Sequence, residues 1–145
     1  MKYAFKLFLL LLSANCHASI RPPHYQGYIS CLPTIRAECT SARLNGYVAE
    51  KREIFHARFN LASLIKARFR GSDLSWSSFF LADLREADLR NANLSFTDFS
   101  HANLKRANLK GAYIEGIELK GAKLEGAIWI NGQRCLKDSI GYCRY

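Results

Sequence analysis

Few side chains in this 145-residue chain have the type and spacing to make or break bonds. Setting Cys16 aside, the cysteines form two close pairs, Cys31 with Cys39 and Cys135 with Cys143, each enclosing seven residues. No CxxC redox motif and no clustered Cys/His spacing for zinc goes with them, so the chemistry they suit is disulfide formation in an oxidising compartment. Four cysteines allow three pairings; the two local ones are favoured because the pairs flank the regular middle of the chain at opposite ends. His101 follows Asp98 closely, but an Asp and a His on a solvated wall are an ordinary surface pair, and His24 and His56 lie outside the regular middle. There is no HExxH, no GxSxG and no phosphate-cradling glycine loop. Neither metal nor cofactor is expected, and the chain reads as a non-enzyme.

The beginning of the chain has the layout of an export signal. Lys2 and Lys6 precede an apolar run from Leu7 to Leu12, and small and polar residues follow to Ala18. Cleavage there leaves four cysteines, an even number. A lipid anchor at Cys16 would need a small residue before it, and Asn15 is a poor one. The apolar run is too short to span a bilayer, and no later segment approaches the required length. The expected location is therefore periplasmic or secreted, with no transmembrane segment in the mature chain.

Between 57 and 131 the chain divides into fifteen uninterrupted blocks of five. The third residue of each block is apolar: Phe59, Leu64, Phe69, Leu74, Phe79, Leu84, Leu89, Leu94, Phe99, Leu104, Leu109, Ile114, Leu119, Leu124 and Trp129. The first residue is small in every block except the one opened by Ile117. A period of five fits neither an α-helix at 3.6 nor a half-buried strand at 2, so another geometry must gather these side chains. Phe59, Phe79 and Phe99 recur at intervals of twenty, as do Leu64, Leu84, Leu104 and Leu124.

Blocks such as Ala87-Asp88-Leu89-Arg90-Asn91 and Ala102-Asn103-Leu104-Lys105-Arg106 resemble the pentapeptide-repeat family. That resemblance implies an all-β fold, a right-handed quadrilateral parallel β-helix of about four coils, with the first and third residues of each block pointing inward. The expected organisation is a signal peptide over 1–18, an irregular disulfide-tied N-terminal cap over 19–56, the solenoid over 57–131 and a disulfide-stapled tail over 132–145. The phase can be traced back to Ala42, but Tyr47 and Arg52 break the small-residue rule, so 42–56 reads at best as a degenerate coil. The Asn131-Gly132 turn signal ends the repeat. Trp129-Ile130-Asn131-Gly132 followed by two cysteines is also similar to tails of exported family members.

The four-block coil predicts which outward side chains are neighbours. Lys66, Arg68, Arg70, Arg85, Arg90, Lys105, Arg106 and Lys110 cluster on two walls, where Glu86 and Asp88 are among few acids. Arg70, Arg90 and Lys110 stack in one column. Like charges so placed repel, and solenoid stability does not explain them. The formal net charge is +9. Two readings stand: a merely solvated face, or a seat for an anionic envelope polymer, lipid headgroup or acidic protein. Export argues against nucleic acid. Basicity and export also separate the chain from cytoplasmic family members that imitate DNA. Opposite, Leu61, Trp76, Phe80, Leu81 and Phe96 form an outward apolar strip, to be covered by the N-terminal cap or by a protein partner or second copy. A structural spacer with no ligand, or a host-directed effector, are the alternative functions.

Overall fold

The computed structural model describes residues 33–145. The export signal, Cys16, Cys31 and the Pro22-Pro23 stretch lie outside them. Within the described residues no helix is long and apolar enough to cross a membrane.

The chain winds into a four-sided β-helix. Parallel bridges join residue i to residue i+20 at every fifth position, from Glu38↔Arg58 through Ser78↔Asp98 to Asn108↔Ile128. These are single-residue bridges, because each wall is only five residues wide before it turns. The first wall comprises 37–41, 57–61, 77–81, 97–101 and 117–121. The second, third and fourth follow in order, starting at 42, 47 and 52.

Each block accounts for its own backbone donors. In the block 77–81, Ser78 N–H bonds the Ala57 carbonyl of the preceding coil at 2.9 Å, while Phe79 and Leu81 N–H bond Asp98 and Ser100 carbonyls of the next at 2.7 and 3.1 Å. The next block's first N–H closes the corner, Ala82 to the Phe79 carbonyl at 3.0 Å. The fourth N–H would be left over, and this is where the Asp/Asn preference at the second position acts. Asp73, Asp83, Asp88, Asn93, Asp98, Asn103 and Asn108 each accept the amide two residues on, the local side-chain turn to which these residues are suited. Where serine stands at the second position, an Asn from the preceding coil substitutes: Asn45 accepts Ile65 N–H at 2.9 Å and Asn60 accepts Phe80 N–H at 3.2 Å.

The corners carry a conformational cost. Every fifth residue from Arg36 to Gly126 has positive φ, and most are not glycine. Each such residue costs on the order of 1 kcal/mol or more in the left-handed region. The bond from its amide to the next coil offsets that cost.

The interior is dry and laddered. From Phe59 to Leu109 every third-position residue is fully buried. Phe79 lies between Phe59 and Phe99, with ring centroids at 4.7 and 4.9 Å and planes within 12° of parallel, and Phe69 meets Phe59 and Phe79 edge-on. The buried hydroxyls at the irregular first positions have partners: Ser72, Ser77 and Thr97 donate to the carbonyls of Ala49, Ile54 and Leu74.

Two boundaries differ from the sequence expectation. Residues 37–56 are not an irregular cap but one further regular coil, with Cys39, Leu44, Ala49 and Ile54 buried at the third positions. Size exchange within the block explains how Tyr47 fits: the large residue stands first, the small Ala49 third, and the pair fills a similar volume. Burial pushes the Tyr47 hydroxyl above its ordinary pKa, against the nearby charge of Arg52. Arg52 keeps its side chain in solvent while its amide bonds Ser72 Oγ at 3.2 Å.

At the far end the cover is partial. The tail folds back in antiparallel bridges Lys123↔Ile140 and Ile128↔Arg134. Its bonds, Leu124 N–H to Ser139 and Gly126 N–H to Cys135 carbonyls, reach only the second and third walls. Leu124 on the second wall is therefore buried, whereas Ile114 and Leu119 on the fourth and first walls, expected as interior rungs, are only half-buried; Trp129 is half-buried too, although the tail reaches its wall. Cys135 and Cys143 are disulfide-bonded with Cα atoms 5.0 Å apart. Cys39 is also disulfide-bonded; its pairing with Cys31 lies outside the described residues. Replacing Cys135 and Cys143 by serine is expected to lower stability by about 2 to 3 kcal/mol on the chain-entropy model. Urea melts of variant and native protein check this, and a null effect would mean that the tail is held by its backbone bonds alone.

Candidate functional site

The outer surface has two characters, set by which positions face out. Second, fourth and fifth residues of each block project from the walls, so columns of side chains run up the solenoid at a spacing of one coil.

The second and third walls carry the basic columns. Between 42 and 131 they hold eleven Lys/Arg and five Asp/Glu, whereas the first and fourth walls from 36 to 121 hold four and six. The protein is therefore electrostatically two-sided, at +6 against −2. The basic side is less bare than its sequence suggested. Lys66 pairs with Glu86 at 3.7 Å, Arg68 with Glu50, Arg85 with Asp83 at 2.8 Å, Arg90 with Asp88 at 2.6 Å and Lys105 with Glu125 at 2.7 Å. The hydrogen bond from Arg90 holds the Asp88 carboxyl below its usual range despite partial burial, and that from Lys105 does the same to Glu125. Arg70, Arg106 and Lys110 have no carboxylate within ion-pair distance among the described residues and, with Lys51 and Lys123 on the same walls, carry most of the surplus. The sequence reading missed that the second-position aspartates, there for backbone reasons, also reach back to the fourth-position arginines.

The first wall and its two corners carry the apolar strip. Trp76 and Phe96 stack with ring centroids 4.4 Å apart, and His56 continues the column below Trp76 at 6.0 Å. His56, set aside on sequence, belongs to this column because 52–56 is a regular block. Phe96 leans over Gly116, where an added Cβ would come within 2.5 Å of the ring. Leu61 and Leu81 line the other corner below His101, and Phe80 meets His101 edge-on at 5.9 Å. Trp76 is 57% exposed and Phe96 43%. No described residue lies over the strip: of the cap expected over 19–56 as its cover, 37–56 extends the same column instead, and 19–32 lie outside the described residues. Among the described residues no group of three or more His, Cys, Asp or Glu is placed to hold a metal ion.

The five-residue period meets its counterpart in a family profile of pentapeptide repeats, which matches residues 77–121 as eight copies. Residues 77–121 are repeats of the pentapeptide-repeat family. Solved structures similar to this pentapeptide-repeat protein include HetL, a pentapeptide repeat protein involved in heterocyst differentiation regulation from the cyanobacterium Nostoc, at 27% identity over 69% of this chain and 50% of that one, with a TM-score of 0.38. A pentapeptide repeat protein of the Arabidopsis thaliana thylakoid lumen is 33% identical over 62% of this chain and 63% of its own, with a TM-score of 0.30. Rfr23 from the cyanobacterium Cyanothece is 26% identical over 60% and 63%, with a TM-score of 0.35. The match thus spans less than two thirds of each of these proteins. Comparison with curated proteins gives no significant match.

Proposed function

We propose that this pentapeptide-repeat protein is a non-enzymatic, exported scaffold, a right-handed β-helix with a disulfide-stapled tail, whose second and third walls seat an anionic polymer of the cell envelope. The observation that carries this reading is the surplus of cations on one side. Among the described residues Arg70, Arg106 and Lys110 have no carboxylate partner, although the opposite walls carry an excess of Asp and Glu over Lys and Arg. A regular column of cations on a rigid scaffold matches a ligand with regularly spaced negative charge, and the binding energy of such a pair falls steeply with salt. A filled interior of Ala, Leu and Phe leaves the surface as the place of contact, which suits binding rather than turnover.

Retention on a sulfated-polysaccharide resin tests it. The native protein is expected to be retained at low salt and released below ~0.5 M NaCl, beyond which the Debye length is only a few ångströms. Arg70→Glu with Lys110→Glu should release it at markedly lower salt, whereas Arg36→Glu with Lys120→Glu, an equal change of net charge on the other side, should do so much less. Equal shifts for both pairs, or retention unchanged by salt, would overturn the proposal.

A further inference from the structure

The apolar strip has a charge pattern that the basic face does not explain. Along the middle of the first wall the second-position column reads Glu38, Arg58, Ser78, Asp98, Glu118, with consecutive residues bridged. The coil of Ser78 is the apolar centre, with Trp76 at one corner and Phe80 and Leu81 at the other. One coil below stands a cation, one coil above an anion. Arg58 makes a 3.6 Å contact to Glu38, with both side chains more than 60% exposed. Asp98 uses one oxygen to accept Ser100 N–H at 2.8 Å, while the other is 3.5 Å from Ser78 Oγ.

We infer that the first wall is a self-association surface, on which a second copy of the chain docks face to face with its solenoid running antiparallel. The two-fold axis lies in the interface, along the strand direction at the level of Ser78. Such an axis sets each column against itself, inverted. Trp76, Phe80 and Leu81 then meet their own counterparts, His56 meets Phe96, and Leu61 meets His101. Arg58 comes opposite Asp98 of the second copy, twice over by symmetry. A parallel arrangement would instead oppose Arg58 to Arg58 and Asp98 to Asp98. An isologous contact must be self-complementary, and the reversal of charge about Ser78 supplies that complementarity, which a foreign partner would have no need of. Glu38 and Glu118 meet only at the solvated rims, where screening is strongest.

The aromatic stack also favours a protein surface over a sugar. Trp76 and Phe96 are stacked 4.4 Å apart and Phe96 rests on Gly116, so ring faces are used internally and edges point out. Edges pack against apolar and aromatic side chains; a pyranose ring needs an open face. The arrangement also bears on the basic side. Closing first wall on first wall leaves both third walls outward and sets the two second walls side by side on one flank. The dimer presents a doubled cationic surface, and a polymer that touches both halves gains by effective concentration.

Sedimentation velocity of the purified chain at about 0.15 M NaCl, across protein concentrations from about 1 to 300 µM, is the test. The native protein is expected to show a concentration-dependent dimer, and Trp76→Ser with Phe96→Ser to abolish it without altering the far-ultraviolet dichroism. Arg58→Asp and Asp98→Arg should each weaken dimerisation by tenfold or more, since each places two like pairs in the contact. Arg68 and Lys123 already occupy second positions elsewhere, and so do Asp73 and Asp83; Asp98→Arg gives up the bond from Ser100 N–H, so its far-ultraviolet dichroism is compared with that of the native protein alongside. An equimolar mixture of the two single variants should recover the dimer, because every opposed pair is then of unlike charge. A native protein monomeric throughout, a dimer that survives loss of Trp76 and Phe96, or a mixture no better than its components would each overturn the inference. A binding reading for the basic face would stand or fall separately, on the resin.

Discussion

Leu89→Asp is expected to leave the protein without a cooperative thermal transition. Leu89 is fully buried midway up the third wall, in the column of Phe69 and Leu109. Its replacement removes about 1.5 to 3 kcal/mol of apolar burial and puts a carboxylate where no cation reaches, since the neighbouring Arg90 faces out toward Asp88. Isolated burial of that charge, or of its protonated form without hydrogen-bond partners, costs several kcal/mol more. The whole stability of a domain of this size is about 5 to 15 kcal/mol. A repeat stack adds an aggravating factor: each coil is stabilised by the coils on either side, so failure at the middle separates the solenoid into halves too short to bury their own interiors. Circular dichroism melts check this. A variant melting at the native temperature would mean that the third-position columns are not what holds the coils together.

Phe79→Ala should fold but lose about 3 to 5 kcal/mol, the range for aromatic residues cut from a well-packed core. The cost belongs at the high end because Phe79 is enclosed on both faces by Phe59 and Phe99 at 4.7 and 4.9 Å and on its edge by Phe69. The coil spacing is fixed by backbone bonds, so the walls cannot collapse into the gap. Leu119→Ala provides the comparison. It stands in the same column, but it is half-buried at the open end, with no coil above it, and should cost far less. Urea midpoints for the two variants, at unchanged slope, measure the difference. Equal losses would show that burial in the column does not grade the contributions as argued.

Much of this architecture is written in the period. The recurrence of Phe59, Phe79 and Phe99 at intervals of twenty agrees with the four blocks per coil that the family resemblance implies, and the bridges at twenty bear it out. The residues that hid structure are those where one physical demand was met by an unusual means. Tyr47 and Arg52 looked disqualifying because a small first residue is the rule; pairing Tyr47 with a small third residue, and leaving Arg52 in solvent, keeps the winding regular through 37–56. That in turn concealed His56 as the base of the aromatic column. The basic face was overread for a different reason. Outward positions were assigned correctly, but the reach of a side chain along its own block and to the next coil is not a matter of period. The bonds of Arg85 to Asp83 and of Lys105 to Glu125 emerge only in three dimensions. The half-open end could not be foreseen either, since it depends on which walls a 14-residue tail happens to reach.

The rung-to-rung interval of twenty also governs how the chain can change in length. Gain or loss of twenty residues restores every bridge with the same wall above the same wall. Removal of a single block, 82–86 for instance, would instead carry everything beyond it back by a quarter-turn. Phe99 would leave the column of Phe59 and Phe79 and come to rest over Leu74, and Arg90 would stand above Ile65 instead of Arg70. Size can therefore drift only by whole turns, and each turn added brings a new member to every surface column at once.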